Sequence, residues 1–379
     1  MSLGFKKSKL KYHLKVKSGR EITNEVNCDD NAIDVYGSGG VFKYTDKKLF
    51  TGPSVLFGRK GTIGTPLYVQ GDFWTVDTMY YTDIYSGNSP RFFYYLLEVF
   101  PWNQIVTQTA LPSIVGSEVE NYETNIPCEE VQNIIANYLD GKCAEIESLL
   151  KRKKNLILLL EQQRQSIITE AVTKGLNPNV KMKDSSVEWI GEIPEGWNTI
   201  KLKFVCEMKS GTSIDSVNIN ESGEYRVYGG GELRGYTEDY THDGEYVIVG
   251  RQGANCGQAT YVSGKFWATE HAVVVSTKKV EVNWLYYILK SMNLNQYSIS
   301  AAQPGIAVST ILKLIIPHPP MEEQKELLSY LIKYDEEISH LINNTALQIQ
   351  KLKEYRQSLI YEAVTGKIDV RDMELDEVR

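Results

Sequence analysis

Apolar residues recur at a and d spacing along two stretches of the chain. In the first, Ile135, Leu139, Ile146, Leu149, Leu156, Leu160 and Ile167 mark one stripe, interrupted by Lys142, Lys153 and Gln163. In the second, the stripe is Leu331, Tyr334, Ile338, Leu341, Leu352, Tyr355 and Leu359, with Thr345, Gln348 and Glu362 as its polar members. Each stripe predicts a long helix with a single apolar seam. Gly141 is expected to break or kink the first, which leaves a main helix of roughly 35 residues, about 50 Å at 1.5 Å per residue. Ahead of each helix the pattern changes. Short Tyr/Val/Phe-rich runs (SVLFG, PLYV, EYVIVG, HAVVVST) alternate with Gly, Asp-Gly and Asn turns, the pattern of short strands in a curled sheet. YYLLEVF and WLYYILKSM have helical spacing, so each such region is an α+β domain.

The two halves repeat each other. RQSIITEAVT from Arg164 is answered by RQSLIYEAVT from Arg356, and the same offset relates LKYHLKVKSG from Leu10 to LKFVCEMKSG from Leu202. It also relates Tyr36-Gly37 to Tyr228-Gly229, GRKG from Gly58 to GRQG from Gly250, and Tyr94 in FFYYLLE to Tyr286 in NWLYYIL; Phe73-Trp74 answers Phe266-Trp267 with a slip of one. A Pro and an acidic pair precede each long helix, in IPCEEVQ and PPMEEQ. The repeating unit is a domain followed by a helix. A helix with one apolar stripe needs a partner, and its own copy can supply one. With a domain at each end the two helices must run antiparallel, which predicts two similar heads, pseudo-two-fold related and separated by a coiled coil. The heads would stand about 50 Å apart, roughly 15 base pairs at 3.4 Å per step. The expected boundaries are 1–127 for the first domain, 128–176 for the central helix and 177–196 for a linker and lead-in. The second domain follows at 197–320, the C-terminal helix at 321–368 and an acidic tail at 369–379.

Composition changes this picture little. The chain has 379 residues, 42% hydrophobic and 23% charged, which suits a globular protein of several folding units. The apolar run LILLL is far too short for a membrane span and the first residues lack a signal-peptide core, so a cytoplasmic protein is expected. Five scattered cysteines without a C-x-x-C pair read as reduced thiols. The net charge of −7 hides an uneven distribution: residues 1–70 carry 12 Lys/Arg against 6 Asp/Glu, and residues 71–125 carry 1 against 7. An acidic chain can thus present a basic face to a polyanion.

The phrase MKDSSVEWIGEIPEGW (Met182 to Trp197), the YGxGG and GRxG pair in each half, the P-x-EEQ helix starts and the ending RQSLIYEAVTGKI resemble the specificity subunit of type I restriction-modification systems. The resemblance covers nearly the whole chain and includes the domain-helix-domain-helix order. One departure is that the first half has no W-x-G-x-I-P-x-x-W lead-in and starts almost directly at Phe5. The resemblance implies a subunit that reads double-stranded DNA without catalysis of its own. Each domain would read one half of a split site, and the helices would set the unread spacer. Two adenine-methylating subunits would dock near the domains, with the translocating nuclease subunits joining that core. S-adenosylmethionine, ATP and Mg would be used by those partners, and no cofactor would be bound by this chain.

The loops GRKGTIG and GRQGANCG each place an Arg between glycines after an apolar strand. Arg59 or Arg251 could grip a phosphate or pair bidentately with a guanine edge; Gln252 and Asn255 have the amide chemistry for adenine, and Lys60 and Thr62 are the polar counterparts in the first loop. The competing reading is a tight hairpin with a solvated Arg. YGSGGVFKY and YGGGELRGY, with Tyr36, Lys43, Tyr228 and Arg234, could offer donors to phosphates or be plain turns. A nucleotide-binding glycine loop competes, but neither stretch matches G-x-x-x-x-G-K-[ST]. QTALPSI and AAQPGIAVS hold corresponding places with different polar residues, Gln108 and Ser113 in one, Gln303 and Ser309 in the other. That is the pattern expected of two domains reading different bases, and also of drift. Lys6, Lys7, Lys9 and Lys11 read as a solvated strand end, with phosphate contact as the alternative, and the KRKK run at 151–154 as a wet helix face, with contact to the spacer backbone as its alternative. There is no Asn/Asp-Pro-Pro-aromatic motif, no Walker loop and no H-E-x-x-H; Glu270-His271 is the one sequence-adjacent acid-base pair singled out, and it reads as a strand end. An interaction scaffold with two non-DNA-binding heads is the alternative from another class, and a fused methyltransferase fails for want of cofactor motifs.

Overall fold

The computed structural model describes residues 4–28, 32–107, 112–253, 255–298, 305–371 and 373. The chain divides into two compact units, Met1–Lys154 with Ala346–Arg379, and Asn155–Thr345.

In the first unit Leu14–Ser18, Met79–Ile84, Ser54–Gly58 and Leu67–Val69 form an antiparallel sheet in that order. A second sheet has the order Gly40–Thr45, Ile33–Gly37, Asp72–Thr75, Phe50–Thr51, and its central pair is parallel. Because successive strand residues face opposite sides, Val55 and Phe57 join one core, with Phe92, Phe93 and Leu97 of the helix Pro90–Glu98, while Leu56 joins another, with Phe73, Met79 and Tyr81.

The second unit repeats the design with one six-stranded sheet, ordered Cys206–Ser210, Ala272–Thr277, His242–Gly250, Ala259–Ala268, Tyr225–Gly229, Glu232–Thr237. Only the pair Tyr225–Gly229 with Ala259–Ala268 is parallel. Val247 and Val249 pack toward the helix Val282–Ser291, and Ile248 packs toward Tyr228 and Phe266. The nine-residue strand His242–Gly250 corresponds to two strands of the first unit, Phe50–Thr51 and Ser54–Gly58. Pro53 lies between those two, and without an N–H it cannot continue a ladder.

The long helices are Glu129–Lys174, 46 residues, and Met321–Val364, 44 residues, both longer than the pattern predicted. Gly141 does not interrupt the first. Its cost of about 1 kcal/mol in a helix interior is outweighed by burial of Ile135, Leu139, Cys143 and Ile146 around it. Within each unit the two helices run antiparallel. In the first, Lys153 Nζ donates to Gln348 Oε1 at 2.7 Å; in the second, Arg164 pairs with Asp335 and donates to Ser339 Oγ at 3.1 Å.

The expected continuous seam is not what forms. Ile135, Leu139, Ile146, Leu331, Ile338 and Leu359 are buried, whereas Leu149, Leu156, Leu341 and Tyr355 are 42–56% exposed. Of the buried positions, Ile135, Leu139, Ile146, Leu331 and Leu359 pack with head residues, which add walls that a lone helix pair lacks. At the end of the first helix Ile168, not Ile167, is the fully buried residue, with Ala171 and Val172. The LILLL run is apolar all round, so Leu158 and Leu159 necessarily face outward.

In the second unit Trp197 follows the hairpin Met182–Asp184/Glu192–Pro194, packs over Gly175 and donates from its indole to Glu323 Oε2 at 2.8 Å. In the first unit Phe5 holds the same place over Gly366, and Ile368 and Val370, which follow the second helix, pack into that core. Among the described residues no helix is long and apolar enough to cross a membrane, and all five cysteines are free thiols.

Candidate nucleic-acid interface

In each unit the Gly-Arg loop leaves the central strand and is fastened by its backbone on two sides. Arg59 N–H donates to the Thr78 carbonyl at 2.8 Å, and the Arg59 carbonyl accepts from Ile114 N–H at 3.1 Å. In the second unit Arg251 N–H donates to His271 at 2.9 Å, and its carbonyl accepts from Ile306 N–H at 3.0 Å. The next residue bridges to the late loop of the same domain, Lys60 to Ser113 and Gln252 to Gly305. The Gly-Arg loop and the described part of the late segment are thus joined in each unit. Both loops fold back so tightly that a Cβ at Gly58 would lie 1.8 Å from the Thr62 carbonyl oxygen, and one at Gly250 2.1 Å from that of Asn255. Only glycine fits there.

The side chains on this shared frame differ. The half-buried Arg59 guanidinium lies 5.6 Å from the Tyr80 ring centroid; Lys60 and Thr62 are exposed, and Ser113 is half-buried with its hydroxyl 3.0 Å from that of Thr107. In the second unit Arg251 is exposed and donates to Ser210 Oγ at 3.2 Å, and Gln252 Oε1 lies 3.2 Å from His271 Nδ1. His271 Nε2 in turn lies 3.4 Å from Glu270 Oε1, and Asn255 is half-buried. One frame therefore offers a guanidinium, an ammonium and hydroxyls, the other a guanidinium, carboxamides and an imidazole. These groups can distinguish base edges in a major groove, the guanidinium by two acceptors of guanine and a carboxamide by the donor-acceptor pair of adenine.

The other candidates are less alike. Lys43 is ion-paired with Glu25 at 2.6 Å, while Arg234 is exposed with its stem against Gly229. Tyr36 is half-buried and donates to Asp34 at 3.3 Å; burial and that carboxylate push its phenol above the ordinary value, so it stays a donor. Tyr228 is buried, edge-on to Phe266 at 5.9 Å, and serves packing rather than the surface. Ser309 is exposed on the short helix Val308–Ile311, and Gln108 and Gln303 lie outside the described residues. Lys7 pairs with Glu123 and Lys153 bonds Gln348, while Lys151, Arg152 and Lys154 are exposed. Sequence reasoning missed Tyr80, Ser210 and the contact of His271 with Gln252. Ser210 had a usable signal, since it closes the duplicated K-S-G stretch beside the loop.

The Type I restriction modification DNA specificity domain model matches this chain twice, over residues 3–159 and 194–351. The chain is 38% identical over 154 residues to the type I restriction enzyme EcoprrI specificity subunit of Escherichia coli, an alignment covering 39% of this chain and 37% of that one. It is 24% identical over 293 residues to the MjaVIII specificity subunit of Methanocaldococcus jannaschii, covering 70% and 66%. Both alignments thus span less than two thirds of the relatives' own lengths. A chain from a solved type I R-M system assembly has the same fold, with a TM-score of 0.73 at 16% identity over 96% of this chain and 98% of that one. With both repeats matched and more than half of its length covered, the chain belongs to the type I restriction modification DNA specificity domain family.

Proposed function

We propose that this chain is the non-catalytic specificity subunit of a type I restriction-modification complex, each unit reading one half of a bipartite site in double-stranded DNA. The observation that carries the reading is the duplicated frame. Arg59 and Arg251 are held by equivalent backbone bonds, to Ile114 and Ile306, while the residues beside them differ. Two readers of one backbone design and different side chains suit an asymmetric split site. The long helices set the spacer and dock two adenine methyltransferase subunits, and the exposed Leu156, Leu158 and Leu159 of the second unit and Leu149 and Leu347 of the first supply apolar surface for that docking. Restriction subunits join this core, and S-adenosylmethionine, ATP and Mg enter with the partners.

The test is binding of duplex DNA by the chain with its methyltransferase partner, combined with methylation mapping in cells with and without this gene. The expected result is a split adenine-methylated motif that disappears with the gene, and affinity that falls steeply with salt, with a log-log slope of about −0.9 for each phosphate neutralised. Salt-insensitive binding, or an unchanged methylation pattern, would overturn it, and capture of proteins without nucleic acid would favour the scaffold reading.

A further inference from the structure

Lys290 stands where the first repeat has Glu98. The carbonyl of each accepts a carboxamide from an incoming long-helix end, Lys290 from Gln165 Nε2 at 3.2 Å and Glu98 from Gln357 Nε2 at 3.4 Å. An arginine precedes each of those glutamines, but the acid that meets it has moved. Arg356 bonds both oxygens of Glu98, at 3.0 and 3.2 Å. Arg164 is instead held by Asp335 of the second long helix, at the position where the first repeat has Cys143, and Lys290 Nζ is 3.5 Å from the same carboxylate. Among the described residues Asp335 is the carboxylate within ion-pair distance of either cation, so two cations share one acid. Their side chains are only 23% and 20% exposed, which leaves little water to screen the excess positive charge.

These two cations line an open pocket of about 520 Å³ on the surface of the second unit, and none of the described residues lining it is acidic. Asn255, Gln258, Thr260 and Asn295 supply amide and hydroxyl groups to its wall. Burial lowers the Lys290 pKa against the opposing pull of Asp335, a cost that an anion beside it would relieve. Asn255 and its neighbours belong to the loop that carries Arg251 and Gln252, so an occupant would touch the reading loop itself.

We propose that this pocket is a binding site for a phosphoryl oxyanion, held by the Arg164 and Lys290 cations with amide donors from Asn255 and Gln258. A guanidinium and an ammonium with surrounding amides match the charge and the several acceptor oxygens of such a group. The phosphoryl group comes either from the DNA backbone beside the half-site or from free phosphate, and only the first source rests on the proposed function.

The experiment uses the full chain and inorganic phosphate. Wild-type protein is expected to show a saturable rise in melting temperature, roughly 2–4 °C, in phosphate over chloride of matched ionic strength. The rise is lost in Lys290→Met and in Lys290→Glu with Asp335→Cys, the pair that installs the first repeat's residues and their one-to-one ion pair. No rise in wild type, or its survival in both variants, would overturn the site. Binding to the mapped duplex across a salt series then separates the sources. A log-log slope reduced by about 0.9 in the variants identifies a backbone phosphate, and an unchanged slope identifies free phosphate. Because the melting arm contains no DNA, failure of DNA recognition and failure of this site are read separately.

Discussion

The ring of Phe5 covers Gly366 so closely that a Cβ on that glycine would lie 2.6 Å from Cε2 of the ring, with the backbone at φ +72°. At the matching place in the second unit, Gly175 at φ +76° would bring its Cβ to 3.3 Å from the Trp197 ring. Left-handed backbone costs a residue with a side chain roughly 1–2 kcal/mol, and the tighter site adds overpacking of about 1–3 kcal/mol. Gly366→Ala is therefore expected to destabilise the chain more than Gly175→Ala in denaturant unfolding. Equal losses would show that the Phe5 ring moves aside freely.

Arg356 and Glu98 tie the end of the second long helix to the short helix of the first unit, and both side chains are under one fifth exposed. Removing one partner strands the other charge, which costs about 3 kcal/mol for a buried pair, whereas apolar replacement of both is close to neutral. Arg356→Met alone is thus expected to lower stability by about 3 kcal/mol, and Arg356→Met with Glu98→Met to recover most of it. A double-mutant cycle with no coupling would show that the pair is solvated in solution.

Asp335 gives the second unit an acid-sensitive joint. Burial alone would raise its carboxyl, but the hydrogen bond from Arg164 and the charges of Lys290 and Arg164 outweigh that and hold it below the ordinary 3.8. A carboxyl depressed on folding stabilises fully above its unfolded value and loses that contribution as pH falls through the folded one. Wild-type stability should therefore decline below about pH 4 more steeply than that of Asp335→Asn, whose baseline is lower but flatter. Parallel acid-unfolding curves would place the joint elsewhere.

Much of this architecture is legible in the sequence because the repeat is nearly in register. GRKG and GRQG and the RQS endings fall at equivalent places in the two units. The heptad pattern misled in two respects. It read Leu149, Leu156, Leu341 and Tyr355 as seam residues, since periodicity reports one apolar face and not whether a head covers it. The break or kink expected at Gly141 is likewise absent, because the propensity cost of that glycine is overridden by packing that only the folded unit supplies. Within the candidate interface the loops were found but not their bonds to each other. Those bonds join residues such as Arg59 and Ile114, far apart in sequence, through backbone atoms that leave no side-chain signature. The role of Tyr228 was misjudged for a related reason, since a Tyr beside glycines reads as surface until Phe266 is placed against it.

Gln252 and Lys60 occupy the same position on the two reading frames, bridged to Gly305 and Ser113 respectively. Both are exposed, and the arginine before each is fixed by its backbone bonds, so exchanging one for the other changes chemistry with little change of fold. A carboxamide offers a donor and an acceptor together, whereas an ammonium offers donors alone and favours acceptor edges such as those of guanine. Gln252→Lys is expected to change base preference in the half-site read by the second unit, by about 1–3 kcal/mol per base pair affected, and to leave the other half unchanged. Arg251→Ala should relax one position of the same half-site if its guanidinium meets a base, or weaken all sequences alike if it meets phosphate. Methylation mapping of cells carrying each variant reads both outcomes. A changed preference in the half-site of the first unit would contradict the assignment of one reader to each half, because Gln252 and Arg251 are held entirely within the second unit by His271, Ser210 and Ile306.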